Sequence, residues 1–250
     1  MVLLRQISSI KRLFPHLSIK LTRRNASSSS SFLEFHREWP EKDLRDFMKD
    51  MTVIPDFISE AEVSKILEEI EPYLKRMRYE FDHWDDAIHG FRETERQHWY
   101  PDNKETINRI RNLAFKGETL PHVHILDLAE EGVIKPHVDS VRYCGSTIAG
   151  VSLLSDSVMK LVRIDEKKYQ QSPESDYRKQ PDKNDENPTD PGYFVNILLP
   201  ARSLYIMRDT ARYNFTHEIL GNNESSFGGN PVKKTRRISI VCRNKPKDFT

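Results

Sequence analysis

Near the end of this 250-residue chain stands the stretch Arg237-Ile238-Ser239-Ile240-Val241-Cys242-Arg243. A β-strand turns successive side chains to opposite faces, so both arginines share one face with the serine and the valine, and the isoleucines and the cysteine share the other. Two guanidinium groups on the inner face of a buried strand are costly unless they meet an anion. Because the planar fork of arginine matches a carboxylate, the stretch predicts a strand that holds a small dicarboxylate.

Further short, β-branched runs bounded by turn residues fill the second half of the chain. Two amphipathic helices, predicted at 60–75 and 104–115, precede them, and the first opens on a capping-box pattern at 59–62. Helices followed by many strands indicate the α+β class, and we expect a double-stranded β-helix (jelly roll) core with the helices packed outside. The predicted strands are His122–Leu128, Thr147–Leu154, Val158–Ile164, Tyr193–Leu199, Ser203–Met207, Phe215–Ile219 and Arg237–Cys242.

Two short segments carry the side chains of a metal site. In His137-Val138-Asp139 the imidazole and the carboxylate project from one face, because the valine between them points the other way. His217 follows eighty residues later and shares a strand face with Phe215. Two imidazoles and one carboxylate form the ligand set of non-heme Fe(II) oxygenases, which leaves positions open for a cosubstrate and O2. The alternative interpretation is a polar surface strand and a buried core histidine.

The order of these segments resembles that of the AlkB branch of the Fe(II)/2-oxoglutarate dioxygenases. The shared pattern is H-x-D, a distal histidine and R-x5-R on a late strand, and it covers about residues 53–245 with one insertion. Neighbouring strings extend the resemblance, namely Val53–Ser59, Tyr79–Asp85, Ile88–Glu95, Ser203–Ile206 and Ala211–Leu220.

The resemblance implies roles for individual residues. Fe(II) is expected on His137, Asp139 and His217, with 2-oxoglutarate and O2 as cosubstrates. The implied cosubstrate ligands are Arg237 at the distal carboxylate, Ser239 as its polar neighbour, Arg243 at the keto-acid end, and Tyr205 as a hydrogen-bond donor from a facing strand. For Tyr205, a simple packing role is the alternative.

Other basic residues near these segments are predicted to have structural roles. His122 and His124 alternate on a strand, but no carboxylate lies at matching spacing, so we expect them to be structural or to line the pocket. Arg208 and Arg212 are interpreted as ordinary loop charges.

Residues 1–30 have the composition of a targeting segment. They contain six basic residues and no acidic residue, with apolar side chains on one helical face and a serine run at 27–31. This pattern is typical of a mitochondrial transit peptide, and we expect delivery to the matrix; a disordered basic tail is the alternative. Two cysteines in a chain of this length, Cys144 and Cys242, are predicted to be buried and reduced, as in such a compartment.

The remaining chain is predicted to be one domain. Residues 31–52 are interpreted as a flexible lead-in to a dioxygenase domain at 53–245, and 165–192, with few apolar residues, as a disordered loop inside it. Without the six basic residues of the leader, 33 basic and 38 acidic residues remain, a formal net charge of −5. Such a balance lacks the positive footprint of a nucleic-acid binder. No stretch approaches the roughly 18 apolar residues that a membrane span needs.

The substrate prediction combines this charge with the resemblance. DNA-repair members hold a flipped base under a lid before the barrel, but here that region is rich in acids and aromatics, and the resemblance implies an incomplete nucleotide lid. We therefore expect an enzyme that hydroxylates a protein or a peptide. We also expect the chain to be a monomer. An N-methyl demethylase of mitochondrial RNA and a metal-bound interaction protein with incidental turnover are the alternatives. The resemblance also implies roles in regulated necrosis after alkylation damage and in fatty-acid and energy metabolism.

Overall fold

The computed structural model describes residues 31–81, 87–164 and 192–246. The predicted leader and nearly all of the predicted loop at 165–192 lie outside these ranges, as do residues 82–86. In chain order the elements are β1 (Leu33–His36), α1 (Glu41–Asp50), β2 (Met51–Ile54), α2 (Glu60–Leu74), β3 (Ile88–Arg96), α3 (Pro101–Ala114), β4 (Val123–His137), β5 (Thr147–Leu153), β6 (Ser157–Arg163), β7 (Phe194–Leu199), β8 (Leu204–Arg208), α4 (Asp209–Tyr213), β9 (Phe215–Ile219), β10 (Ser226–Phe227), β11 (Asn230–Pro231) and β12 (Arg237–Arg243).

One antiparallel sheet, in the order β1-β7-β6-β9-β4-β12-β5-β8-β2 with β3 beside β4, contains all these strands except the small β10–β11 pair. The long strand β4 pairs with strands on both sides, at different parts of its length. Its first part pairs with β12, where Arg237 lies opposite Leu128, and its last residue pairs with β9, where His137 lies opposite His217. The four-strand halves β4-β12-β5-β8 and β4-β9-β6-β7 thus share one strand, which is the predicted jelly roll.

The sheet separates two hydrophobic cores. The inner core lies between the two halves and includes Val241 of β12. The outer core lies between β12 and the helices, where Ile238, Ile240 and Cys242 pack with Ile66 of α2 and with α3. The predicted division of β12 into two faces and the external position of these helices are therefore confirmed. Both cysteines are free and buried, as predicted.

The helices α2 and α3 form where the apolar spacing predicts them. Ser59 caps α2, and its side chain and that of Glu62 exchange hydrogen bonds with the backbone in a complete capping box. Helix α3 begins at Pro101, three residues before the predicted start, because proline supplies a suitable first helical residue ahead of the apolar repeat. Among the described residues, no helix has the length and hydropathy of a membrane span.

The prediction of a flexible lead-in at 31–52 is wrong. Strand β1 pairs with β7, with Phe35 opposite Val195, and α1 buries Phe47 completely. The indole of Trp39 stacks on Phe215 with ring centroids 5.5 Å apart. Aromatic side chains bury large areas, so three of them anchor a segment whose overall composition is polar. The folded domain accordingly begins near residue 31 rather than 53.

Strand β3 was not predicted, because residues 76–100 show no clear period. It pairs with β4 along its length, with Arg92 opposite Asp127. Arg92 and Arg96 of this strand are partly buried through ion pairs with Asp127 and Glu69, which hides the usual alternation of apolar and polar positions. The partner strand also exceeds its prediction: β4 continues from the expected end at Leu128 to His137.

Candidate active site

The last residue of β4 and the middle of β9 bring three potential ligands together. His137 and His217 face each other across the strand pair, with ring centroids 4.2 Å apart. Asp139 lies two residues past the end of β4, and its Oδ1 is 3.5 Å from His137 Nε2 and 3.6 Å from His217 Nε2. One ligand atom from each residue lies within 4.8 Å of the others, so the three could hold a metal ion. The adjacent Glu218 turns to the opposite face, 3.6 Å from Lys160, as the alternation predicts.

The two imidazoles direct ring nitrogens toward the carboxylate of Asp139. His137 Nδ1 lies 2.8 Å from the carbonyl oxygen of Lys135, and a carbonyl can only accept, so the neutral ring donates from Nδ1 and leaves Nε2 as the acceptor. Burial, reinforced by the neighbouring His137, lowers the pKa of His217 to about 3. His217 can therefore serve as a neutral nitrogen ligand at neutral pH, and His137 directs Nε2 toward the same centre.

The carboxylate of Asp139 has two differently occupied oxygens. Oδ2 accepts a hydrogen bond of 2.7 Å from Arg243 Nε, while Oδ1 faces the imidazoles. Burial alone would raise the pKa of Asp139, but Arg243 and the two histidines hold it well below its usual range. An ionised carboxylate with one oxygen committed and one open is suited to bind a metal through a single oxygen.

A second group of polar residues lies on the inner faces of β12, β5 and β8. Arg237 is 1% exposed, and its Nε donates to Ser152 Oγ at 3.0 Å. Ser239 lies opposite Ser152 in the strand register and is likewise buried. Tyr205 reaches over Gly150, where an added Cβ would come within 2.5 Å of the phenol ring and hydroxyl. The missing side chain at position 150 thus makes room for the phenol.

These residues have unused hydrogen-bonding capacity. In the part of the chain that the structure describes, the terminal nitrogens of Arg237 and the hydroxyl of Tyr205 make no hydrogen bond, and Arg237 has no carboxylate partner. Burial lowers the pKa of Arg237, yet a guanidinium remains protonated. A buried cation without an anion is unfavourable, and a small dicarboxylate supplies the missing charge. The donor set therefore fits 2-oxoglutarate.

Arg243 lies beside the three potential metal ligands. Its Nε is tied to Asp139, and its terminal nitrogen lies 3.4 Å from His124 Nδ1. His124 in turn lies 2.7 Å from the carboxylate of Glu93 on β3. His124 is thus part of a polar chain that supports the site, in agreement with its predicted structural or pocket-lining role.

Three contributors were missed from the sequence. Gly150 and Ser152 lie on the face of β5 that meets the Arg237 face of β12. A small and a polar residue among apolar neighbours were the only sequence signs of their role in the site. Arg212 was interpreted as a loop charge but is 1% exposed and donates to the carbonyl oxygen of Asp139 at 2.7 Å. A lone arginine between two strands gives no sequence signal of such burial.

No protein-family model matches the chain. Two relatives named "Alpha-ketoglutarate-dependent dioxygenase alkB homolog 7, mitochondrial", from Bos taurus and Mus musculus, are each 46% identical over 203 residues, covering 80% of this chain and 81% of theirs. The solved structure of OsALKBH1 has a TM-score of 0.47 and 10% identity, covering 78% of this chain and 98% of that one.

The match to the relatives runs over four-fifths of both chains at an identity well above chance resemblance. It agrees with the histidine–aspartate–histidine cluster at the shared strand of the jelly roll. The chain therefore belongs to the mitochondrial alkB homolog 7 family, whose members are dioxygenases that use Fe(II), 2-oxoglutarate and O2.

Proposed function

We propose that His137, Asp139 and His217 hold the Fe(II), that Arg237 anchors 2-oxoglutarate, and that the enzyme hydroxylates a protein or peptide in the mitochondrial matrix. The proposal is supported by a three-residue cluster that could hold a metal ion, together with a buried arginine that lacks a carboxylate partner among the described residues. The two lie close together, because Arg243 of the Arg237 strand contacts Asp139 and Tyr205 is near both Arg237 and Asp139. Each feature alone has a structural explanation. Together they match the charge and donor needs of a divalent cation and a dianion.

Bound Fe(II) supplies activation of O2, coupled to oxidation of 2-oxoglutarate, for insertion of oxygen into a C–H bond. The protein residues supply orientation. His137 is fixed through Nδ1 by the carbonyl of Lys135, and Asp139 is fixed through Oδ2 by Arg243, so each presents one defined atom to the ion. A ligand set of three side chains would leave coordination positions for the cosubstrate and O2.

Arg237 and its neighbours would determine the direction in which 2-oxoglutarate binds. The Ser152 hydroxyl holds Nε, leaving the terminal guanidinium nitrogens to form a bidentate pair with the distal carboxylate. We assign Ser239 as its polar neighbour and Tyr205 as a further donor from β8. Arg243 completes the set at the keto-acid end, where it also touches Asp139. Burial of these donors excludes competing water.

The protein or peptide substrate is favoured by two observations. Residues 31–250 carry 33 basic and 38 acidic side chains, a poor balance for binding a polyanion. In addition, Arg92 of β3, in the region where DNA-repair members carry a base-holding lid, is committed to Asp127 at 2.7 Å. The roles in regulated necrosis after alkylation damage and in fatty-acid and energy metabolism belong to this proposal through the family resemblance.

The test is oxidation of a matrix protein extract by the full chain. Peptides that gain one oxygen atom should appear only with Fe(II), 2-oxoglutarate and O2, and should be absent with Asp139→Ala. Loss of N-methyl groups from mitochondrial RNA, without any oxygenated peptide, would overturn the protein substrate in favour of the demethylase. Wild-type partners retained by Asp139→Ala, with no oxidation of either class, would instead support an interaction protein.

A further inference from the structure

Arg212 is a buried guanidinium with an unusual set of partners. It lies on the short helix α4 between β8 and β9, five residues before His217, and is 1% exposed. One terminal nitrogen donates to the carbonyl oxygen of Asp139 at 2.7 Å and lies 3.1 Å from Cys144 Sγ. The face of the group also lies over Tyr213, 4.9 Å from the ring centroid.

The rest of the group is not satisfied. Its Nε and its other terminal nitrogen are buried without a hydrogen-bond partner, and within the described residues no carboxylate pairs with it. A buried charge held this loosely costs stability, and an apolar side chain of similar volume is often as stable or more so. The fold gains little from Arg212, so the contact it does make calls for a different explanation.

That contact fixes the main chain of Asp139. Cys144, which contacts Arg212, also contacts the turn that follows Asp139. Its thiol is 3% exposed and lies 3.2 Å from the carbonyl oxygen of Ser140 and 3.9 Å from Asp139 Oδ2. Arg243 of β12 donates a hydrogen bond to the carboxylate of Asp139, and Arg212 of α4 donates one to its carbonyl oxygen. Asp139 lies beyond the end of β4, where the sheet no longer fixes the backbone.

We propose that Arg212 is a positioning residue that fixes the backbone of Asp139, so that the carboxylate meets the metal ion in one geometry. The inference rests on the proposed function, because it assumes that Asp139 is a ligand. Arg212 would thereby raise the affinity for the metal ion, although its buried charge lowers the stability of the fold. Residues that orient metal ligands commonly affect affinity by about 10- to 100-fold when removed.

The experiment is an anaerobic titration of the full chain with Co(II), an optical substitute for Fe(II), together with thermal unfolding of the metal-free protein. Arg212→Met should weaken Co(II) binding about 10- to 100-fold and alter the visible spectrum of the bound ion. Its unfolding midpoint should move by less than about 4 °C. Arg212→Lys keeps a charged donor without the planar fork, so its affinity should lie several-fold below wild type and above the Met variant.

Arg208→Met is the matched control, because Arg208 also donates to a main-chain carbonyl, that of Ala114, at 3.1 Å, but away from the metal cluster. It should leave Co(II) affinity and spectrum unchanged. A folded Arg212→Met protein with wild-type affinity would overturn the inference. If that variant does not fold, a folded Arg212→Lys protein with wild-type affinity would overturn it equally. Failure of wild-type protein to bind Co(II), or binding that survives Asp139→Ala, would instead refute the proposed function.

Discussion

Arg236 and Arg237 are neighbours in sequence and belong to opposite kinds of charge cluster. Arg236 donates two hydrogen bonds to Asp127 and one to Glu71, although its side chain is 31% exposed. Arg237 is almost completely buried and bonds only a serine hydroxyl among the described residues. Burial normally increases the need for hydrogen-bond partners. The contrast therefore separates a structural network, whose charges are paired, from a site with donors left for binding.

The two aspartates of these clusters show the same contrast. The side chain of Asp127 is inaccessible to solvent, and Arg92, Arg236 and Tyr79 together supply donors to both of its oxygens. Asp139 receives one arginine on one oxygen and directs the other toward two imidazoles. A closed network stabilises the fold, whereas an open one retains binding capacity.

The largest effect is expected at the open cluster. Asp139→Ala should abolish metal binding and 2-oxoglutarate turnover, because it removes the only anionic ligand of the three. The unfolding midpoint of the metal-free protein should remain within about 4 °C of wild type. Metal titration and circular dichroism measure the two quantities. Normal turnover in this variant would remove the basis for the ligand assignment.

The closed cluster should respond in the opposite way. Asp127→Ala leaves Arg92 and Arg236 without their shared carboxylate, and breaking a buried ion pair costs about 3–5 kcal/mol. Urea unfolding should show this loss in the free energy of unfolding, while the folded fraction still binds metal with wild-type affinity. Unchanged stability would contradict the description of this network as structural.

The same substitution at the two neighbouring arginines should have different effects. Arg237→Met should weaken 2-oxoglutarate binding by about 100-fold, the equivalent of a charge-assisted interaction of about 3 kcal/mol, and should leave stability equal or higher. Arg236→Met is the matched control and should lower stability without changing 2-oxoglutarate affinity. Isothermal titration and urea unfolding of both variants test the comparison. Equal effects of the two substitutions on affinity would contradict it.

Gly150 tests whether the space under Tyr205 matters for the site. Gly150→Ala places a Cβ 2.5 Å from the phenol, so the ring must move or the strands must separate. Such overpacking costs about 1–3 kcal/mol, and we expect weaker 2-oxoglutarate binding to accompany it. Gly117→Ala is the control, since an added Cβ there meets nothing within 4 Å. Unaltered affinity in Gly150→Ala would argue that Tyr205 only packs.

The smallest effect is expected at a partly exposed acid. Arg109, with further help from the Ser59 cap, lowers the pKa of Glu62 to about 2 against the opposing effect of burial. A depressed folded-state pKa stabilises the protein above the unfolded value of 4.5, and this contribution is lost as the pH falls toward about 2. Because the pair is partly solvated, we expect less than about 1 kcal/mol. Urea unfolding of Glu62→Gln should converge with wild type across that pH range.

The sequence predicts the features that follow a period or a motif. The alternation in β12 predicts its inner face, and the spacing of His137, Asp139 and His217 predicts the cluster of two imidazoles and a carboxylate that the structure brings together. The fold class followed from the same short strands. These signals work because a strand imposes a two-residue period on any side chain that must face the interior.

Features that depend on tertiary packing were not predictable in this way. The anchoring of 31–52 rests on a few aromatics that meet Phe215, far along the chain. Strand β3 buries charges through Asp127, and Arg212 is buried through contacts with Asp139 and Cys144. In each case the partner is distant in sequence, so local polarity indicated a solvent-exposed segment.

We propose that His137, Asp139, His217 and Arg237 form one site. The most direct measurement is the visible absorption of the full chain titrated anaerobically with Fe(II) and 2-oxoglutarate. A charge-transfer band should appear only when both are present, persist in Arg236→Met, and vanish in Asp139→Ala. In Arg237→Met it should need about 100-fold more 2-oxoglutarate. Folded wild-type protein that gives no band, or a band that survives loss of Asp139, would contradict the claim.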